Sequence, residues 1–272
     1  MQKSIQYFHR KITYRVIGNG APVLLIHGFG EDSHIWDKQI AYLQNYCQLI
    51  VPDLPGTGMS EIIRPVDLNK ENEMPISLID YAELMAAILK VEDISTCILI
   101  GHSMGGYIAL AFEEIYPEIS LRFGLVHSSA LADTEEKKAN RLKGIELMEL
   151  YGAGPFLKNT IPNLFSATFK KEHPDMVSLL VDAAPVFNTQ ACQQYYEAMR
   201  LRPDRTSILK GNLKPILFVI GTDDVAAPLV DLLPQIKLPS RPYVHILEGV
   251  GHMGMWEATE QVNQFLLDFI EL

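Results

Sequence analysis

The chain has 272 residues, of which 48% are hydrophobic and 21% charged, the balance of a globular protein able to bury a sizeable core in one large domain or two small ones. A formal net charge of −10 argues against a nucleic-acid surface and against anionic membranes as partners. Cys47, Cys97 and Cys192 are odd in number and far apart, so buried reduced thiols are expected rather than a disulfide framework or metal site.

The N-terminal MQKSIQYFHRK lacks the apolar core of a signal peptide, and no stretch approaches the ~20 apolar residues of a membrane span. A cytoplasmic protein is the expectation. Ser4 to Phe8 and Ile12 to Ile17 read as two strands joined by the polar His9-Arg10-Lys11, and Gly18-Asn19-Gly20 is a turn signal. Pro22 to Ile26 (PVLLI) is a continuous apolar run, the kind buried on both faces of a parallel sheet. His27-Gly28-Phe29-Gly30 follows it. A helix from Ser33 to Leu43 carries Trp36, Ile40 and Leu43 on one face, and Gln48 to Val51 is the next strand. Ser77 with Asp80 three residues on has the pattern of a capping box, opening a helix whose apolar face is Tyr81, Leu84, Met85, Ile88 and Leu89.

Cys97 to Ile100 is of strand length, and Met104 to Tyr116 repeats apolar residues at helical spacing before Pro117. Between them stands Gly101-His102-Ser103-Met104-Gly105. A chain that turns from strand to helix in so few residues strains its central residue, and glycines two positions either side remove the Cβ atoms that would collide. The strain lifts the Ser103 hydroxyl clear of the sheet edge, where the free N–H groups of the next helix point.

Phe123 to Val126 is another buried strand, after which strand signals stop. Helical patterns cover Thr134–Leu150, Pro174–Ala183 and Thr189–Met199, separated by the breakers Gly152-Ala153-Gly154-Pro155 and Ile161-Pro162. Alternation resumes with strand Ile216 to Ile220, a short helix near Leu229–Gln235, strand Tyr243 to Leu247 and a last helix Trp256–Ile270. The expected fold is therefore an α/β class protein, a mostly parallel twisted sheet flanked by helices, with residues 1–130 and 206–272 as core and 131–205 as an inserted helical cap.

Ligands in such sheets bind at the carboxyl ends of strands. Those ends carry His27-Gly28-Phe29, Ser103, Gly221-Thr222-Asp223-Asp224 and Gly249-Val250-Gly251-His252. A serine, an acid and a histidine thus stand in the order Ser–Asp–His. Asp223 and Asp224 both suit the acid role by position. His27, His102, His127 and His245 compete with His252, but only His252 lies in a loop before the last helix. Asp53 and Ser60 read as shaping the Gly-rich turn DLPGTGMS.

These features together make the sequence resemble the α/β-hydrolase superfamily, serine hydrolases with a helical cap. The resemblance rests on HGFG at 27–30, Trp36, DLPGTGMS at 53–60, GHSMGG at 101–106, GTDDVAAP at 221–228 and GVGHM at 249–253, and covers the core but not the insert. It implies a triad of Ser103, Asp224 and His252, choosing Asp224 because the acid falls three residues after Gly221 and four before Pro228. It also implies an oxyanion hole of the Phe29 and Met104 N–H groups. Trp36 and Met253 become candidate pocket walls. The implied activity is cofactor-independent hydrolysis of a small, mostly apolar ester, thioester or lactone through an acyl-enzyme. Carbon–carbon hydrolysis or a lyase step, and ligand-binding signalling with a retained triad, are the alternatives. No metal spacing or dinucleotide fingerprint is visible, so no cofactor is implied, and both monomer and homodimer stay open.

Overall fold

A computed structural model describes residues 1–63, 75–183 and 187–272. Its frame is one eight-stranded sheet: β1 (Gln2–Tyr7), β2 (Arg10–Ile17), β3 (Pro22–Ile26), β4 (Gln48–Pro52), β5 (Cys97–His102), β6 (Ser120–Val126), β7 (Pro215–Gly221) and β8 (Arg241–Leu247). Their spatial order is β1-β2-β4-β3-β5-β6-β7-β8, with β1–β2 and β2–β4 antiparallel and every later pair parallel. The sheet is therefore mostly parallel, as the continuous apolar runs imply. From β3 the chain steps one way to β4 and then returns to the other side as β5. The crevice at this reversal is where an α/β sheet leaves room for a ligand.

Successive strand residues point to opposite faces, so each strand feeds two cores. Leu24, Ile26, Ile50, Leu99, Leu125 and Phe218 pack on one face with α2 (Leu78–Val91) and α3 (Met104–Ile115). Val23, Leu25, Leu49, Val51, Ile100 and Val219 pack on the other with α1 (Asp37–Leu43) and the C-terminal helix. Each large side chain so buried contributes about 1.5–3 kcal/mol before entropy is set against it. The capping box of α2 is formed, with Ser77 and Asp80 each accepting from the other's backbone N–H.

Between β6 and β7 lie α4 (Glu135–Tyr151), α5 (Ala153–Thr160), a 3-10 turn (Ile161–Leu164), α6 (Ala167–Glu172), α7 (Pro174–Ala183) and α8 (Thr189–Arg200). Two of these helices, α5 and α6, fall in the breaker-rich stretch where the sequence suggests none. Pro155 sits in the first turn of α5 and Pro162 in the first turn of the 3-10 segment, positions where a missing N–H costs nothing. The same connection ends with α9 (Thr206–Leu209), and the rest of the chain adds α10 (Leu229–Leu232), α11 (Gly254–Glu257) and α12 (Thr259–Ile270). The last helix is thus two, broken at Ala258, whose φ of −133° and ψ of 48° are not helical.

The first hairpin also differs from expectation. Tyr7 pairs with Arg10 directly, and the turn is Phe8-His9, both at positive φ (47° and 60°). Two left-handed central residues are what a tight hairpin turn requires, but Asn-Gly is the usual sequence for it. Cys47, Cys97 and Cys192 are free and buried. Among the described residues no helix is long and apolar enough to cross a membrane.

Candidate active site

Ser103 joins β5 to α3 with φ 52° and ψ −116°, a conformation that is strained for a residue bearing a Cβ. The turn is possible because of its two glycines. A Cβ on Gly101 would meet the Gly105 carbonyl carbon at 2.2 Å, and one on Gly105 would meet the Ile26 carbonyl oxygen at 2.2 Å. The helix consequently starts directly against the end of β3. Hydrogen bonds from the Ser103 N–H to the Val126 carbonyl (2.9 Å) and from the Ser128 hydroxyl to the Ser103 carbonyl (2.7 Å) hold the turn.

Met104 is the first residue of α3, so its N–H has no intrahelical acceptor by geometry. Across from it runs the loop after β3. A Cβ placed on Gly28 would stand 3.1 Å from the Ser103 Cβ, which brings the backbone leading into Phe29 alongside the serine. The buried carboxylate of Glu31 fixes this loop, accepting from the Gly28 N–H at 2.7 Å and lying 3.0 Å from His102 Nδ1 through either oxygen. Burial alone would raise the Glu31 pKa, but the charge and hydrogen bond of His102 and the Gly28 N–H outweigh it and hold it low. His102 moves the opposite way: burial would lower its pKa, and Glu31 raises it. Each thus favours the charged form of the other beneath the loop. His102 Nε2 donates to the His252 carbonyl oxygen at 3.0 Å, so one ring links three loops. His27 acts beside it, with Nδ1 on the Gly28 carbonyl and Nε2 accepting from the Leu54 N–H.

Asp224 and His252 come together. Nδ1 of His252 lies 2.9 and 2.8 Å from the two carboxylate oxygens, and both side chains are buried. The N–H groups of Ala226 and Ala227 also donate to Oδ1, at 2.9 and 2.8 Å. Burial would raise the Asp224 pKa; the charge of His252 and hydrogen bonds from His127 and His252 reverse this and hold it well below the carboxylate range. Asp223, by contrast, is exposed and meets only the Thr222 hydroxyl.

His127 is a residue whose place the sequence did not reveal. It stands at the end of β6 with φ 49°, and its Nδ1 lies 3.2 Å from Asp224 Oδ2. Burial pushes its pKa down to about 4 against the pull of Asp224, so the ring is neutral and the N–H belongs on Nδ1. Its Nε2 is buried without a hydrogen-bond partner among the described residues. The cue that finds Ser103, a polar residue directly after a buried strand, applies to His127 as well. Glu31 gives no such cue. The ligating atoms of His127, Asp224 and His252 lie within 4.8 Å of one another, a set that could hold a divalent ion. Both Nδ1 atoms, however, are turned onto the carboxylate as donors, which leaves neither free to ligate an ion.

Met253 lines a cavity of about 300 Å³ with Phe29, Ile35, Ile161, Leu164 and Trp256. Trp36 does not. It is fully buried, its ring centroid 6.4 Å from that of His102 in an edge-on arrangement, and Trp256 occupies the wall position instead. Asp53 and Ser60 shape the turn after β4: Asp53 accepts from the Ser33 and Met59 N–H groups, and the Ser60 hydroxyl donates to the Asp53 carbonyl. The insert reaches the site through its backbone, since Leu164 accepts the His252 N–H at 2.7 Å.

Known proteins share this fold. The acetyltransferase component of an acetoin-cleaving system from Pseudomonas putida is 27% identical over 92% of this chain, which spans 64% of that relative's length. A 2-hydroxy-6-oxononadienedioate/2-hydroxy-6-oxononatrienedioate hydrolase from Paraburkholderia phymatum is 26% identical over 96% of the chain and 91% of its own. A thermophilic esterase from Thermogutta terrifontis, solved with malate bound, superposes with a TM-score of 0.89 at 24% identity, covering 100% of this chain and 98% of its own. Residues 23–265 match the profile of the alpha/beta hydrolase family, and the chain belongs to that family.

Proposed function

We propose that the chain is a cofactor-independent serine hydrolase of small, mostly apolar acyl esters, thioesters or lactones, with residues 131–205 as a cap over the site. Ser103 is the nucleophile, His252 the general base, Asp224 the acid behind it, and the Phe29 and Met104 N–H groups are the oxyanion hole. The observation that carries this reading is the His252–Asp224 pair, buried and doubly hydrogen-bonded, in a molecule that also strains Ser103 at the mouth of the same crevice.

A serine hydroxyl is a weak nucleophile near neutral pH, so it needs a base. Asp224 holds the N–H of His252 on Nδ1, which leaves Nε2 with its lone pair for the Ser103 proton. As the Ser103 oxygen bonds to the carbonyl carbon, that proton passes to Nε2 and the carbonyl oxygen becomes an oxyanion between the two backbone donors. Each such donor lowers the barrier by about 3 kcal/mol. Collapse breaks the bond to the leaving oxygen, which takes the proton from Nε2. Water then repeats the cycle on the acyl-enzyme and frees the acid.

The test is fluorophosphonate labelling with turnover of a 4-nitrophenyl acyl series. The wild-type chain labels and turns over. Ser103→Ala does neither, losing about 10⁶-fold in kcat while keeping its circular dichroism and melting temperature. Turnover undiminished in that variant, or labelling with no ester turned over, ends the reading.

A further inference from the structure

Two cavities of opposite character meet the candidate site. The larger one, beside Phe29 and Met253, is walled mainly by apolar side chains. The smaller, about 200 Å³, is lined by Tyr107, Asp133, Lys137, Asn140, Arg141, Tyr196 and Ala226. The Phe29 and Tyr196 rings pack at a tilt with centroids 4.4 Å apart, so this pair stands between them. The smaller cavity is tied to the reacting groups from three directions. Tyr107 is one helical turn beyond Ser103 on α3. Ala226 donates its N–H to Asp224. Tyr196 packs on Phe29.

On a chain of net charge −10 this spot is cationic. Lys137, Arg141 and Arg202 gather here against Asp133 and Asp231. The two arginines share the fully buried Asp133, but they are not equivalent. Arg202 is taken up by structure: Nη1 pairs with Asp133 at 2.6 Å and donates to the Met199 carbonyl, Nε donates to the Leu131 carbonyl, and the guanidinium lies 3.9 Å from the Tyr107 ring centroid. Arg141 engages Asp133 through Nε alone and lies 5.1 Å from the Tyr196 ring centroid. Its terminal nitrogens have no hydrogen-bond acceptor among the described residues, although the side chain is only 18% exposed. A guanidinium largely out of water with one edge unclaimed presents a two-pronged fork that suits a planar anion. Lys137 and Asn140, on the same helix, add donors to the same space.

We propose that this cavity is a carboxylate subsite. Arg141, with Lys137 and Asn140, binds a carboxylate carried by the substrate, so the preferred substrates are half-esters of dicarboxylic acids rather than their neutral isosteres. The inference rests on the serine-hydrolase reading and narrows it: the scissile carbonyl sits at Ser103 while the charged end reaches past Tyr196 to Arg141. An excess of one positive charge fits a monoanionic carboxylate.

The experiment compares kcat/KM for 4-nitrophenyl hemiglutarate and 4-nitrophenyl pentanoate, which differ in a terminal carboxylate against a methyl group. Wild type favours the hemiglutarate about tenfold or more, the size of a charge-assisted hydrogen-bond pair, and the ratio grows at low ionic strength. Arg141→Gln brings the ratio down at least about tenfold, and Lys137→Gln, which leaves Asp133 untouched, lowers it about threefold. The exposed Lys90→Gln on α2 makes the same change in net charge and leaves the ratio alone. A wild-type ratio near one, or a ratio unchanged in both Arg141→Gln and Lys137→Gln, overturns the subsite while pentanoate turnover keeps the triad reading standing. Failure of wild type to turn over either ester, with Ser103 unlabelled, overturns the triad reading and the subsite with it.

Discussion

The sheet and the helical insert hold the same site by different means. The sheet works through backbone: β3, β5, β6 and β7 are buried on both faces, and their ends deliver the Phe29 loop, Ser103, His127 and Asp224 in fixed register. The insert shows Leu142, Leu147, Leu150 and Leu179 to solvent and meets the site through a few contacts. These are the Leu164 carbonyl on the His252 N–H, Glu257 bridging the Ser166 and Gly251 N–H groups at 3.1 Å each, and the rings of Phe156 and Tyr196 against Phe29. In the proposed reading, chemistry is anchored in the sheet ends, while the insert, joined to them by fewer backbone bonds, can vary in shape and charge without unmaking the sheet.

The largest way to break that division is at the sheet end itself. Asp224→Asn removes the charge that orients His252, and kcat for a 4-nitrophenyl ester falls about 10⁴-fold. Asp223→Asn changes it less than about twofold, because the side chain is solvated and touches neither histidine. Steady-state kinetics on the two variants decide the assignment, and the reverse pattern would move the acid to 223.

Glu31→Gln tests whether the loop after β3 belongs to the rigid half. It leaves the fully buried His102 facing a neutral amide. Breaking a buried pair in this way costs about 3–5 kcal/mol, seen as a lower urea midpoint, and turnover drops about tenfold as the Gly28–Phe29 backbone loosens. An unaltered midpoint would mean that the pair is not ionised. Glu257→Ala tests the insert's side of the comparison. Its three backbone contacts, to Ser166, Gly251 and Met253, are lost, and kcat falls about fivefold with a smaller change in the midpoint. A midpoint that falls while kcat holds would show that the insert serves the fold alone.

What could be read from the sequence follows the same division. Parallel strands appear as uninterrupted apolar runs, so PVLLI, CILI and ILFVI locate β3, β5 and β7, and their ends point to Ser103 and Asp224. Gly101 and Gly105 are legible because their need is steric and local. Glu31 is not legible: its partner His102 is 71 residues away, and nothing near it in sequence marks a buried acid. The Phe8-His9 turn is hidden because neither residue is a usual choice for positive φ; α5 is hidden because Pro155 in its first turn reads as a breaker, and α6 because it is a six-residue helix between Pro162 and Pro174. Arg141 appears in sequence as one more charge on a charged helix. Only its ion pair with Asp133 and its approach to Tyr196 set it apart.

His127 gives the smallest effect and the sharpest reading of sheet-end rigidity. Its pKa is pushed down from 6.5 to about 4, so between those values the unfolded chain binds a proton that the folded one does not. Stability therefore rises with pH across that window and is lost as pH falls from about 6.5 to about 4, by about 3 kcal/mol in all at 1.36 kcal/mol per unit. Asp224 and Glu31, both held low, keep their contribution until pH drops below the ordinary carboxyl range. His102, raised by Glu31, is shifted alike in variant and wild type and does not enter the difference. His245, lowered by burial, adds slope of the same sign, but in variant and wild type alike. His127→Asn keeps an N–H donor for Asp224 and tolerates φ 49° better than most residues. Urea unfolding at pH 4.5 and 6.5 should show a clearly smaller loss of stability in the variant than in wild type. Equal losses would mean that the buried ring takes up its proton as readily in the folded protein as in the unfolded one.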